Sequence, residues 1–256
     1  MFANFSLSRV GRHSCRMHSR HALIIGQLLQ FQSILASLGL QYSPSTSVTP
    51  ALNPNVTRVL SFWFDRDPMD WFRGPEGFDD ECRSQLGHLV ERARSDDLDD
   101  WSNGPEGSLA LLVLLDQVPR NMFRGTPDAF SSDAKAQEVA ARSIAKGHDR
   151  QATTYQALQF YLTLMHQENL LAQVASVALI ENLRAASLEG SPEREFLEQS
   201  VSAAKDHLDV ILRFGRYPSR NLILGRESTA GEAAFLDEHP SGFARRPASA
   251  NISPPV

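Results

Sequence analysis

Three short stretches of the chain gather arginine, carboxylate and imidazole groups at spacings that could support chemistry. The first runs Arg213-Phe214-Gly215-Arg216-Tyr217-Pro218-Ser219-Arg220-Asn221 and on to Leu224-Gly225-Arg226, with four arginines and no acid. Guanidinium groups present paired donors that match a carboxylate or phosphate, and Gly215 and Gly225 let backbone donors approach, so the segment reads as an anion site. The competing reading is structural: Arg213, Arg216, Arg220 and Arg226 cap helix ends and pair with Asp116, Asp133, Glu168 or Asp209. The second stretch, Asp116-Gln117-Val118-Pro119-Arg120-Asn121-Met122-Phe123-Arg124, follows a strongly apolar run. Asp116 is costly there unless it finds an arginine or a ligand, and a helix end left with bare carbonyls is reason enough for Arg120 and Asn121 as donors.

The third stretch is His166-Gln167-Glu168, with His207 as a further base. Residues two apart on a helix face different directions, so His166 and Glu168 cannot form the i, i+4 pair that metal-binding helices use. They converge only at a helix junction, where a capping Glu168 beside a hydrogen-bonded His166 competes with acid–base catalysis. The chain has no cysteine cluster, H-E-x-x-H, G-x-S-x-G, Walker loop or G-x-G-x-x-G. No cofactor or metal is called for.

The elements that must hold these stretches are helices. Asn53-Pro54 predicts a cap and a first-turn proline opening a helix through Phe64. A second starts at Asp79, where Cys82, Leu86, Leu89, Val90 and Ala93 make one apolar stripe. Pro105 starts a helix whose run Leu109 to Leu115 must be buried on nearly all sides, and Pro119 should end it. Ser131 or Ser132 caps a fourth helix that stops at Gly147, and a fifth and sixth cover 154–165 and 168–187. Ser191-Pro192 opens the longest, with Leu197, Val201, Ala204, Leu208, Ile211 and Leu212 in phase until Gly215. Thr229 and Glu232 match a capping box for a last short helix. Seven to eight helices with short connections make an all-α domain over residues 53–237, built as a bundle or as stacked helical hairpins.

Charge divides the chain. Residues 1–57 carry Arg9, Arg12, Arg16 and Arg20 and no acid, a charge of +4 within a total of −5, which leaves −9 for the remainder. An acidic body argues against a nucleic-acid binder, because neutralising phosphates takes a basic surface. The Arg-, His- and Ser-rich extension, residues 1–52, reads as a mitochondrial transit peptide. Its rivals are a membrane anchor through 22–40 and a merely unstructured start in a cytoplasmic protein. Gln27, Gln30, Ser33 and Ser37 on one side of that stretch argue against a stable transmembrane span. With Cys15 in the extension and only Cys82 beyond it, no disulfide framework is available to the body. Residues 238–256 are expected to be a disordered tail.

Phe62-Trp63-Phe64 with Trp71-Phe72, then Leu115 to Gly125, His166-Gln167-Glu168 and the arginine segment, in this order along the chain, resemble the domain-of-unknown-function family DUF924 from about Val56 to Leu236. The resemblance implies a tetratricopeptide-like helical fold, although no 34-residue repeat is visible in the sequence itself, and it implies no settled activity. It also marks departures. Thr163 stands where Pro is expected and Val174 where an acid is usual, and the family's Pro-His-Arg-Asn motif reads Pro218-Ser219-Arg220-Asn221. A mechanism relying on that imidazole would be lost in this chain. The expectation from residues and resemblance together is a helical binding module that holds an acidic peptide or small anionic ligand on an arginine-lined surface. The alternative is an enzyme that uses His166 and Glu168 with arginine contacts.

Overall fold

A computed structural model of the protein describes residues 52–240 with Gly242 and Phe243, apart from the side chains of Phe72 and Arg73. The expectations for the extension lie outside the described residues. All regular structure among the described residues is helical: α1 Pro54–Phe64, α2 Asp70–Arg73, α3 Phe78–Arg94, α4 Pro105–Leu112, α5 Val118–Met122, α6 Asp133–Lys146, α7 Thr154–Met165, α8 Leu170–Ala186, α9 Pro192–Phe214 and α10 Ala230–Glu238, with short 3-10 turns between several of them. No helix among these residues is long and apolar enough to cross a membrane.

Local rules set most of the boundaries. The Asn53 side chain accepts from Asn55 N, the Ser191 side chain from Arg194 N, and Thr229 and Glu232 close a reciprocal capping box. Gly147 and Gly215 end α6 and α9 at φ 75° and 71°, a conformation that glycine adopts without strain. Elsewhere the expected boundary moves. The helix expected from Asp79, α3, begins at Phe78, one residue early, and the short α2 precedes it. Ser132 stands at the start of α6, but its hydroxyl accepts Arg94 Nε at 3.0 Å instead of capping. Glu168 is not a cap, since Asn169 accepts from Ala172 N and α8 begins at Leu170.

The largest correction concerns Pro119. A proline lacks the amide hydrogen and its ring collides with the carbonyl four residues back, which predicts a break. The chain instead widens into a π turn over Val113–Gln117, and helical backbone continues to Met122. The wider register gives the proline ring room, and such turns recur at functional sites.

Leu109 to Leu115 are 0–2% exposed and form the centre of one core with Trp63, Phe78, Leu86 and Leu158. A second, smaller core of Val210, Ile211, Tyr217 and Phe235 ties α9 to the arginine segment and takes Phe243 against it. Leu212, expected in the apolar stripe of α9, is 60% exposed.

Candidate functional site

The π turn aims Asp116 inward, and the side chain is fully buried. Its carboxylate lies 2.9 Å from His166 Nδ1 and 3.1 Å from Arg120 Nη1, and it accepts Gln117 Nε2. Burial pushes this carboxyl up, but Arg120 and His166 outweigh that and hold it well below the usual carboxylate range. An ionised carboxylate only accepts, so His166 Nδ1 carries a hydrogen and donates it to Asp116.

Arg120 also forks onto Asp133 at 3.0 and 3.1 Å and donates to Asp116 O at 2.6 Å. Asn121 Nδ2 donates to Gln117 O at 3.1 Å. Both residues therefore donate to backbone carbonyls one turn back, in the π turn rather than at a helix end. Asp133 is shared: Arg220 Nη1 donates to it at 3.1 Å, while Arg220 Nη2 donates to His166 O at 2.9 Å. The Arg220 guanidinium lies between two rings, 4.5 Å from the centre of Phe130 and 4.8 Å from that of Tyr217. Its Nε–H has no acceptor among the described residues. Burial and the Arg120 charge lower its proton affinity.

Next to Arg220 opens a half-enclosed pocket of about 290 Å³, lined by Phe130, His207, Tyr217, Ser219, Arg220, Ile223 and Phe243. His207 stacks on Phe243 with ring centres 4.1 Å apart, and its Nδ1–H donates to Ala203 O at 2.7 Å. Burial, opposed by that hydrogen bond and reinforced by the charges of His166, Arg220 and Arg120, pushes the imidazole down to about 3. The pocket thus sets two basic side chains, His207 and Arg220, against aromatic walls.

The remaining candidates are occupied elsewhere. Glu168 accepts Tyr217 N at 2.8 Å and both terminal nitrogens of Arg226 at 2.6 and 2.9 Å, which locks the α7–α8 junction to the arginine segment. The carboxylate is thereby engaged by Arg226 and the Tyr217 amide, while His166 Nδ1 faces Asp116. Arg216 forks onto Glu232 at 2.6 and 2.8 Å, and Arg213 lies over Phe214 and Phe235. Asn221 Nδ2 donates to Ser228 Oγ at 3.0 Å. Arg124 pairs with Asp79 at 2.9 Å and borders a separate polar cleft of about 440 Å³ around Gly74 to Asp80. The structure therefore brings together Asp116, Arg120, His166, His207 and Arg220. It sets Glu168 and Arg226 beside them as a staple, and it separates Asn121, Arg124, Arg213, Arg216 and Asn221.

Sequence reasoning missed the aromatic walls Phe130, Tyr217 and Phe243. It also missed Gln173, whose Nε2 lies 2.7 Å from each of Tyr217 Oη, Met165 O and Gln167 O and has two hydrogens to share among them. Tyr217 stood within the arginine segment, so its position was a signal. Phe243 had none. Within hydrogen-bond reach of one another are charges that balance, Asp116 and Asp133 against Arg120 and Arg220, and no described group of three or more acidic, His or Cys side chains could hold a metal.

Among known proteins, the family model described as "Bacterial protein of unknown function (DUF924)" matches residues 59–240. A solved structure of a protein of unknown function from Agrobacterium tumefaciens is similar, with 34% identity and a TM-score of 0.62 over 72% of this chain and 97% of that one. No curated protein matches.

Proposed function

The chain belongs to the DUF924 family, and from that premise we propose that it is a binding protein for a small anion carrying a flat apolar group. The observation behind this reading is Arg220. Its guanidinium is fixed by Asp133 and His166 O, is flanked by two aromatic rings, and lines an open pocket with donor capacity left over. A pre-positioned guanidinium recognises a carboxylate, sulfonate or phosphate at little ordering cost, while Phe130, Ile223 and Phe243 suit an apolar body. The pocket's size favours a small molecule over the acidic peptide that an extended arginine-lined surface would take, because Arg213, Arg216 and Arg226 are engaged away from it.

Calorimetry with benzoate, phenylacetate and phenyl phosphate tests this. Replacement Arg220→Gln should weaken binding at least about tenfold, or 1.4 kcal/mol, while the variant still melts cooperatively. Equal affinity in the folded variant refutes the site. We propose separately that residues 1–50 act in targeting to mitochondria, on their acid-free, arginine-rich composition. Fused to a fluorescent reporter they should give a mitochondrial pattern. A diffuse cytosolic signal contradicts this, and a reticular one favours the anchor.

A further inference from the structure

The two nitrogens of His207 have different fates. Nδ1 faces a carbonyl that can only accept, so it carries the hydrogen, and Nε2 is the bare basic nitrogen of the neutral ring. The groups that face this ring come from each element around it: Arg120 from α5, His166 from the end of α7, Arg220 from the turn after α9, and the Tyr217 ring 5.5 Å away. Lys205, Asp206 and Asp209 are its charged neighbours on α9. The two acids behind the pocket are already spent, Asp116 on Arg120 and His166, and Asp133 on both arginines. An anion seated against Arg220 therefore adds a negative charge that the fixed groups do not offset. Of the lining residues, His207 is the one able to supply the missing positive charge.

We propose that the pocket binds its anion together with one proton, taken from solvent onto Nε2 of His207. This inference rests on the pocket being an anion site. In the free protein, burial, reinforced by His166 and by the Arg220 and Arg120 guanidiniums, keeps the imidazole neutral across the physiological range. A bound anion reverses the sign of the local field and favours the imidazolium, so the group's pKa is higher in the complex than in the free protein. Protons are then taken up on binding at any pH between those two values, and affinity falls about tenfold per pH unit as pH rises through that window. His166 is less suited, because its Nδ1–H already rests on a carboxylate and it does not line the pocket.

The test uses the full chain and benzenesulfonate, which stays ionised throughout, so every proton counted belongs to the protein. Titration calorimetry at about pH 5 and about pH 8, each in two buffers of different ionisation enthalpy, gives the proton count. Close to one proton per anion at the lower pH, with at least tenfold weaker binding at the higher, is the expected result. His207→Gln keeps a donor for Ala203 O, and it should bind with no uptake and with little pH dependence. If that variant loses its cooperative melt, the His207 ring resonance of the wild-type protein, titrated with and without benzenesulfonate, replaces it, and an unchanged titration midpoint overturns the inference. Binding without proton uptake, or uptake that survives His207→Gln, overturns this inference and leaves the anion pocket standing. Absence of binding at both pH values defeats the pocket, and the inference with it.

Discussion

Arg120 and Arg220 share Asp133, and the same substitution at each should have unequal cost. Arg120→Gln leaves Asp116, which has no solvent exposure, with His166 and Gln117 but no guanidinium, and removes the fork onto Asp133. Breaking a buried pair from one side typically costs about 3–5 kcal/mol. Arg220→Gln removes hydrogen bonds to Asp133 and His166 O, but Asp133 keeps the Arg120 fork, and the repulsion between the two guanidinium groups disappears. With those offsets the loss is about 1–2 kcal/mol. In urea, with a slope of about 1–3 kcal/mol per molar, the gap of roughly 2 kcal/mol separates the two midpoints by about 1 M. The double variant leaves both acids without a guanidinium, so its cost should exceed the sum by at least about 0.5 kcal/mol. An Arg220→Gln variant as unstable as Arg120→Gln would refute the reasoning, because it would make Arg220 the group that neutralises the buried acids.

Other outcomes follow from the same contacts. Acidification should destabilise the protein in two stages: His207, with its folded pKa lowered to about 3, contributes stability that is lost below the unfolded value of about 6.5, and Asp116 and Glu232, also depressed, contribute stability lost below about 4. Melting temperatures from neutral pH down to about pH 3 check this, and a stability maximum in acid would contradict it. Tyr217→Phe removes a hydroxyl that donates to Met165 O at 2.6 Å and accepts Gln173 Nε2 at 2.7 Å, so urea unfolding should show a loss of about 1–3 kcal/mol. Cys82 is fully buried and burial pushes its thiol up to about 12, so a thiol reagent should modify it no faster than the protein unfolds.

The helices were legible where one or two adjacent residues decide the outcome, as at Asn53-Pro54, Ser191-Pro192, Thr229 with Glu232, and the stops at Gly147 and Gly215. The helix interiors were legible too, because Cys82, Leu86, Leu89, Val90 and Ala93 must share a face and do, each at 0% exposure. Leu212 kept the phase but not the burial, since periodicity tells which way a side chain points and not whether a partner lies there. The π turn was not legible, because the groups that accommodate Asp116 include His166, fifty residues away. Arg220–Asp133 and Arg226–Glu168 were among the pairings the structural reading allowed, whereas Arg216 found Glu232, whose place in a capping box gave no hint of a second use. Phe243 sat in a stretch rich in Pro, Ser and Ala, where one aromatic residue makes no pattern.

The π turn over Val113–Gln117 also makes the cluster sensitive to chain length. A turn of this kind holds an extra residue compared with the α-helix around it, and each residue of an α-helix advances the side-chain direction by about 100°. Losing a single codon there would let the segment close into ordinary α-helix, and the leucines before it could stay where they are. Val118 to Met122 would keep their direction, because the extra residue is absorbed within the wide turn, but Asp116 would be carried off its inward bearing, away from Arg120 and His166. Insertions and deletions, more than substitutions, are thus the changes by which lineages could build or dismantle this cluster, with every one of its charged residues still present in the sequence.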